Sequence, residues 1–152
     1  MVGKEVFVRI TKQARGFTVL ELVVAMAIAM VVLGIAVPSF LSWLPTLRLS
    51  SAARQVATDL QVARMKAISQ NTSYTIAFNT TTGVYTYGSD SRDIDQEYPG
   101  ISIQSVSPSN PVFTPRGTAS AAVTIKLSNG SGQKLVCVKT VGRVNIADSS
   151  CA

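Results

Sequence analysis

The chain reads as an α+β protein: one long N-terminal α-helix, its first half able to cross a membrane, followed by an antiparallel β-sheet domain. Three observations carry this reading. Residues 17–47 hold a single charge, Glu21, and are otherwise apolar or uncharged. An apolar stripe at helical spacing continues beyond them. After Asn71 the pattern changes to short β-rich runs separated by turn residues.

Composition narrows the function classes. The chain has 152 residues, two cysteines and no histidine, with 47% hydrophobic and 14% charged residues. That length accommodates one domain plus an appended segment. Without histidine there is no Ser-His or Cys-His nucleophile system. Two cysteines alone do not close a structural zinc site. The carboxylates show no pairing as an acid and a base, so the chain is read as non-enzymatic, with no cofactor.

The net charge of +6 is unevenly placed. Lys4, Arg9, Lys12 and Arg15 against Glu5 put half of it before Phe17. About 20 apolar residues suffice to span a bilayer, and a basic flank keeps its side in the cytoplasm. A secretory signal peptide carries its small-residue cleavage site after the apolar core. Here Gly16 precedes the core. Nor does a plain anchor account for Glu21, because a carboxylate in hydrocarbon costs roughly 2.5–3.5 kcal/mol on insertion scales. Cleavage after Gly16 would give Phe17 a positive α-amine to offset that charge.

Arg15-Gly16-Phe17-Thr18-Val19-Leu20-Glu21, followed by the apolar run, resembles the class III signal of type IV pilins and type II secretion pseudopilins. The resemblance implies a type IV pilin-like fold and cleavage of leader 1–16 between Gly16 and Phe17 by the prepilin peptidase. It also implies N-methylation of Phe17 and an assembly role for Glu21. Residues 17–47 are then the transmembrane and filament-core helix, and 48–152 the soluble domain. Pro38 falls where family members carry a helix proline. It removes the bond to the Gly34 carbonyl, and Gly34 is itself a poor helix former, so a kink or melted turn is expected near 34–38.

The helix is expected to continue over 48–70. Leu49, Ala53, Val56, Leu60, Ala63 and Ala67 form the buried stripe, while Arg54, Asp59, Gln61, Arg64 and Lys66 fall off it. The sheet occupies 73–152. Ser73–Phe78 and Val84–Tyr87 read as a hairpin around Asn79–Gly83, and a polar loop follows from Gly88 to Gly100. Further strands are predicted at Ile101–Val106, Val112–Thr114, Val123–Leu127 and Leu135–Val141, with a short final one at Arg143–Ile146. Ser128–Gly132 reads as the turn between the last two long strands.

Leu60-Gln-Val-Ala-Arg64, Phe113-Thr-Pro-Arg-Gly117, Thr124-Ile-Lys-Leu127 and Val141-Gly-Arg-Val144 resemble the GspH/FimT group. Its members are minor pseudopilins or minor pilins. The implied partners are other pilin subunits, the prepilin peptidase and inner-membrane lipid, with the C-terminal domain in the periplasm of a bacterium, or outside the cell after assembly. Some minor pilins of this type bind DNA for uptake through a basic Gly-Arg-x-Arg motif. Here Gly142-Arg143-Val144-Asn145 matches it, with Asn145 in place of the second arginine.

Three other groups of residues are candidates. Lys126, Lys134, Lys139 and Arg143 give the C-terminal sheet a basic character suited to DNA phosphates. Asp90, Asp93, Asp95 and Glu97 are a weak calcium candidate, with oxygen ligands in one loop but Arg92 among them. Cys137 and Cys151 lie in the exported part, where a disulfide persists; two free buried thiols are the alternative.

Overall fold

The computed structural model describes residues 17–151. Residues 1–16, expected to be a leader, lie outside the described residues. Helix α1 spans Val19–Ser69. The chain divides between Phe40 and Leu41 into two compact units.

In the first unit, Thr18 caps α1. Its hydroxyl accepts from the Glu21 N–H at 3.2 Å and its carbonyl accepts from the Leu22 N–H at 3.1 Å. Glu21 thus occupies the third helical position, where a carboxylate also favours the helix dipole. Every residue from Phe17 to Phe40 is exposed. Of the kink or melted turn expected near Gly34 and Pro38, the melted turn is not present, because the helix runs unbroken through both residues. Proline removes one hydrogen bond, and its flanking apolar turns remain helical.

In the second unit, α1 buries Leu49, Ala52, Ala53, Val56, Ala57, Asp59, Leu60, Ala63 and Ala67. The helix ends on Asn71, whose φ of 50° is left-handed. The Thr72 N–H bonds the Ala67 carbonyl at 3.2 Å, and the Asn71 N–H bonds that of Ile68 at 3.3 Å. This is a Schellman closure with Asn, one of the few residues that tolerates that conformation.

Eight strands and a short helix follow. They are β1 (Tyr74–Phe78), β2 (Val84–Tyr87), β3 (Asp90–Asp93), α2 (Ile94–Glu97), β4 (Ser102–Ser107), β5 (Val112–Phe113), β6 (Val123–Ser128), β7 (Gln133–Val138) and β8 (Val144–Ala147). They form two antiparallel sheets, ordered β3-β2-β1-β5 and β4-β6-β7-β8, where the sequence suggested one. Two-residue β5 is an edge of the first sheet and pairs with β1 through Tyr74–Phe113 and Thr75–Val112. Ile76, Tyr85, Ile103, Phe113, Ile125 and Val136 from the sheets join the helix stripe in one core.

The expected polar loop 88–100 contains β3 and α2. Asp-Ser-Arg-Asp is a poor strand sequence, but it suits a sheet edge, where charge blocks further pairing. Asp93 caps α2 by accepting from the Asp95 and Gln96 N–H groups.

Candidate functional site

The acidic loop dissolves into separate local pairs. Asp90 bonds Lys66 at 3.3 Å, Asp93 caps α2, Asp95 accepts from the Gly100 N–H at 3.1 Å, and Glu97 takes both its contacts, 2.8 and 3.0 Å, from Arg92. Among the described residues no three Asp, Glu, His or Cys side chains are placed to hold a metal. The calcium candidate is therefore corrected: each acid satisfies a neighbouring donor instead of converging on one point. The Asp90 hydrogen bond raises the Lys66 pKa.

Asp59, read as a surface residue of the helix, is buried at 5% exposure. It accepts from the hydroxyl of the fully buried Tyr85 and from Gln55 Nε2 at 3.1 Å. Arg92 Nε stands 3.1 Å from Asp59 Oδ2, close enough for an ion pair but without hydrogen-bond alignment. Burial first, and the Asp59 bond second, raise the Tyr85 pKa well above its ordinary 10.0. Glu97 first, then Tyr87, hold the Arg92 guanidinium more firmly protonated than usual. The helix pattern does not signal this network, because Tyr85 and Arg92 lie on β2 and β3.

The four basic candidates do not form one patch. Lys126 pairs with Leu135, and Leu127 with Lys134. Neighbours along a strand alternate faces, so Lys126 and Lys134 point to opposite sides of their sheet. Lys134 is paired with Asp148. Lys139 and Arg143 sit together at the far end of β7, where the Lys139 N–H bonds the Arg143 carbonyl at 2.8 Å.

That β7–β8 turn is where separate stretches of the sequence meet. Gly142 has φ +79°, and a side chain there would run into the Gly117 carbonyl and lie 2.9 Å from Arg64 Nε. Arg64 donates to the same Gly117 carbonyl at 2.7 Å. One arginine thus ties α1, the loop after β5 and the β7–β8 turn together. Beside it a groove of about 390 Å³ is lined by Gln61, Arg64, Met65, Ile68, Arg143 and Val144. Asn145 does not share it. Asn145 pairs with Cys137 on the opposite face of β8 from Val144, and its Oδ1 is buried without a hydrogen-bond partner.

Cys137 and Cys151 are joined in a disulfide, with Cα atoms 5.6 Å apart. The bridge carries the C-terminal segment back onto the β7 face that holds Cys137, which is 1% exposed.

A capped apolar helix that continues into an α+β domain with antiparallel sheets defines a pilin-like protein. Comparison with known proteins agrees. Residues 52–142 match the model of the family "Type II transport protein GspH", and residues 11–37 match the prokaryotic N-terminal methylation motif. The chain belongs to the GspH family. The fold is shared with the type IV minor pilin FimU of Pseudomonas aeruginosa, at 20% identity and TM-score 0.55, over 68% of this chain and 95% of that one. It is shared equally with the minor pseudopilin EpsH of the Vibrio cholerae type 2 secretion system, at 9% identity and TM-score 0.56, over 68% and 99%. A search of curated proteins found no match.

Proposed function

We propose that the chain is a minor pilin or pseudopilin, a non-enzymatic subunit that works by assembling with other pilin subunits into a type II secretion pseudopilus or a type IV pilus. One observation carries the reading: a 51-residue helix whose first part is apolar and exposed all round, yet bears Glu21 in its first turn. Such a surface requires lipid before assembly and neighbouring helices after it. The leader 1–16 is removed by the prepilin peptidase, and Phe17 becomes the N-methylated N-terminus. Residues 17–47 hold the subunit in the inner membrane as a single pass, with residues 48–152 in the periplasm. Glu21 then meets the Phe17 amine of an adjacent subunit. Space around Gly34 is open within the subunit, which suits close approach by a neighbour, and Gly34 with Pro38 is the place where the helix unwinds on assembly.

Intact-mass analysis of membrane-extracted protein should give a chain beginning at methylated Phe17. Glu21→Ala should still insert into the membrane but fall in filament pull-downs. Retention of residues 1–16 in cells with active peptidase, or normal incorporation of the variant, overturns the reading.

A second reading, DNA capture for uptake, is favoured by Arg143 and Arg64 lining one groove. With Lys126 and Lys134 directed elsewhere, about two phosphate contacts give a salt slope of about 2 on duplex DNA. A gel-shift titration that shows tight binding near physiological salt would favour this reading. No binding at about 20 mM salt would dismiss it, on the counterion-release argument.

A further inference from the structure

A second groove, of about 290 Å³, lies between α1 and the β6–β7 hairpin. Its helical wall is Ser42, Pro45, Thr46 and Leu49, at the spacing of one helix face. Its other wall includes Asn129, Lys134 and Asp148. Asn129 Nδ2 donates to the Pro45 carbonyl at 3.1 Å, which ties the hairpin to the helix. Asn129 Oδ1 accepts from the Ser131 and Gly132 N–H groups at 3.1 and 2.7 Å, so this wall is held rigid. Leu49, 3% exposed, forms the apolar end, and Lys134 is the one cation among the lining residues.

The position of this groove along the chain matters as much as its lining. On the membrane reading proposed above, about 20 residues from Phe17 cross the hydrocarbon. The chain then leaves it a few residues before Ser42. Trp43, the single tryptophan of the protein and 58% exposed, stands at that exit. Tryptophan concentrates at the boundary between acyl chains and headgroups. The groove therefore opens at headgroup depth, where the available ligand is a phosphodiester attached to an apolar tail.

We infer that the groove between the helix segment Ser42–Leu49 and the β6–β7 hairpin binds the headgroup of a periplasmic-leaflet phospholipid, with Lys134 as the phosphate's cation. Asp148, with 77% of its side chain exposed, is the internal ligand that the phosphate displaces from Lys134, whose side chain is 24% exposed. Lys134 keeps an anion in either state, so its charge is never left unpaired. The Leu49 end receives the glycerol side of the lipid. This inference rests on the membrane reading, and the test separates the two.

The test uses the mature full-length chain, reconstituted in nanodiscs of phosphatidylethanolamine and phosphatidylglycerol and released into native mass spectrometry. The wild type should retain one phospholipid. Lys134→Gln should lower the lipid-bound fraction about tenfold, the value of one charge-assisted hydrogen bond. Lys134→Arg should keep the lipid. Asp148→Asn should retain at least as much as wild type, because the competitor is gone. Trp43 fluorescence should be quenched most by lipids brominated near the headgroup. A wild type without lipid overturns the inference, and so do equal losses in Lys134→Gln and Asp148→Asn, which would mark the pair as a hairpin staple only. An adduct of inorganic phosphate on lipid-free protein would reassign the groove to free phosphate and also overturn it. A chain that resists carbonate extraction but retains no lipid leaves the membrane reading standing. A chain released by carbonate defeats both.

Discussion

Replacing Asp59 with alanine tests whether the second half of α1 is locked to the first sheet by a buried polar network. The carboxylate is 5% exposed and holds the Tyr85 hydroxyl, which lies on a fully buried side chain. Removing it leaves that hydroxyl without a partner, which costs about 1–3 kcal/mol. Truncation also leaves a small void at a packed position, and a further 1 kcal/mol or so is reasonable for that. The expected loss is therefore about 2–4 kcal/mol on those two terms. Arg92 contributes little to this sum because it keeps both contacts to Glu97. Tyr85→Phe alone should cost about 1.5–3 kcal/mol, the value of a hydrogen bond to a charged group. The double variant should lose less than the sum of the two, with a coupling of about 1–2 kcal/mol, since the second change removes the group orphaned by the first. Urea unfolding of the compact unit beginning at Leu41, followed by circular dichroism, measures all three. A loss below about 1 kcal/mol for Asp59→Ala, well under the desolvation term, would refute the argument. Strict additivity in the double variant would refute it as well.

Three further outcomes are expected. The raised Tyr85 pKa means that the folded state keeps a proton that the unfolded state releases above its ordinary 10.0; stability from this source is complete below that pH and declines as pH rises beyond it. Urea midpoints taken from pH 8 to about 11 should fall less steeply in Tyr85→Phe than in wild type, and parallel curves would contradict the burial argument. Gly142→Ala should cost about 2–5 kcal/mol, combining a left-handed backbone with overpacking against the Gly117 carbonyl and Arg64; Gly130→Ala, also at positive φ but in open space, should cost only about 1–2 kcal/mol, and equal losses would rule out the packing contribution. Cys151→Ser opens a loop with a sequence separation of 14 and should lower stability by about 3 kcal/mol on the chain-entropy model, whereas an unchanged urea midpoint would mean that the bridge constrains nothing in the unfolded chain.

What could be read from sequence follows from interactions that act within a few residues. The apolar run over 17–47 is a matter of local hydropathy, and the stripe from Leu49 to Ala67 follows from helical period alone. Asn71 ends α1 because its own backbone adopts the left-handed conformation. The Ser128–Gly132 turn closes on its own side chains, with Ser128 Oγ accepting from the Gly130 N–H at 3.1 Å. The Thr18 cap, with Glu21 three residues on, is equally local. Tertiary structure decided the rest. Asp59 is off the apolar stripe by its chemistry and on it by position, and its burial is made tolerable by Tyr85, 26 residues away, and by Arg92, together with Gln55 on its own helix. The faces of Lys126 and Lys134 depend on strand register, and a single-residue change of register reverses them. Arg64, Gly117 and Gly142 are far apart in the chain, so no window of sequence reveals that one carbonyl and one guanidinium join them. Local energies act through the chain itself, whereas charge placement and close packing depend on which distant surfaces the folded chain brings together.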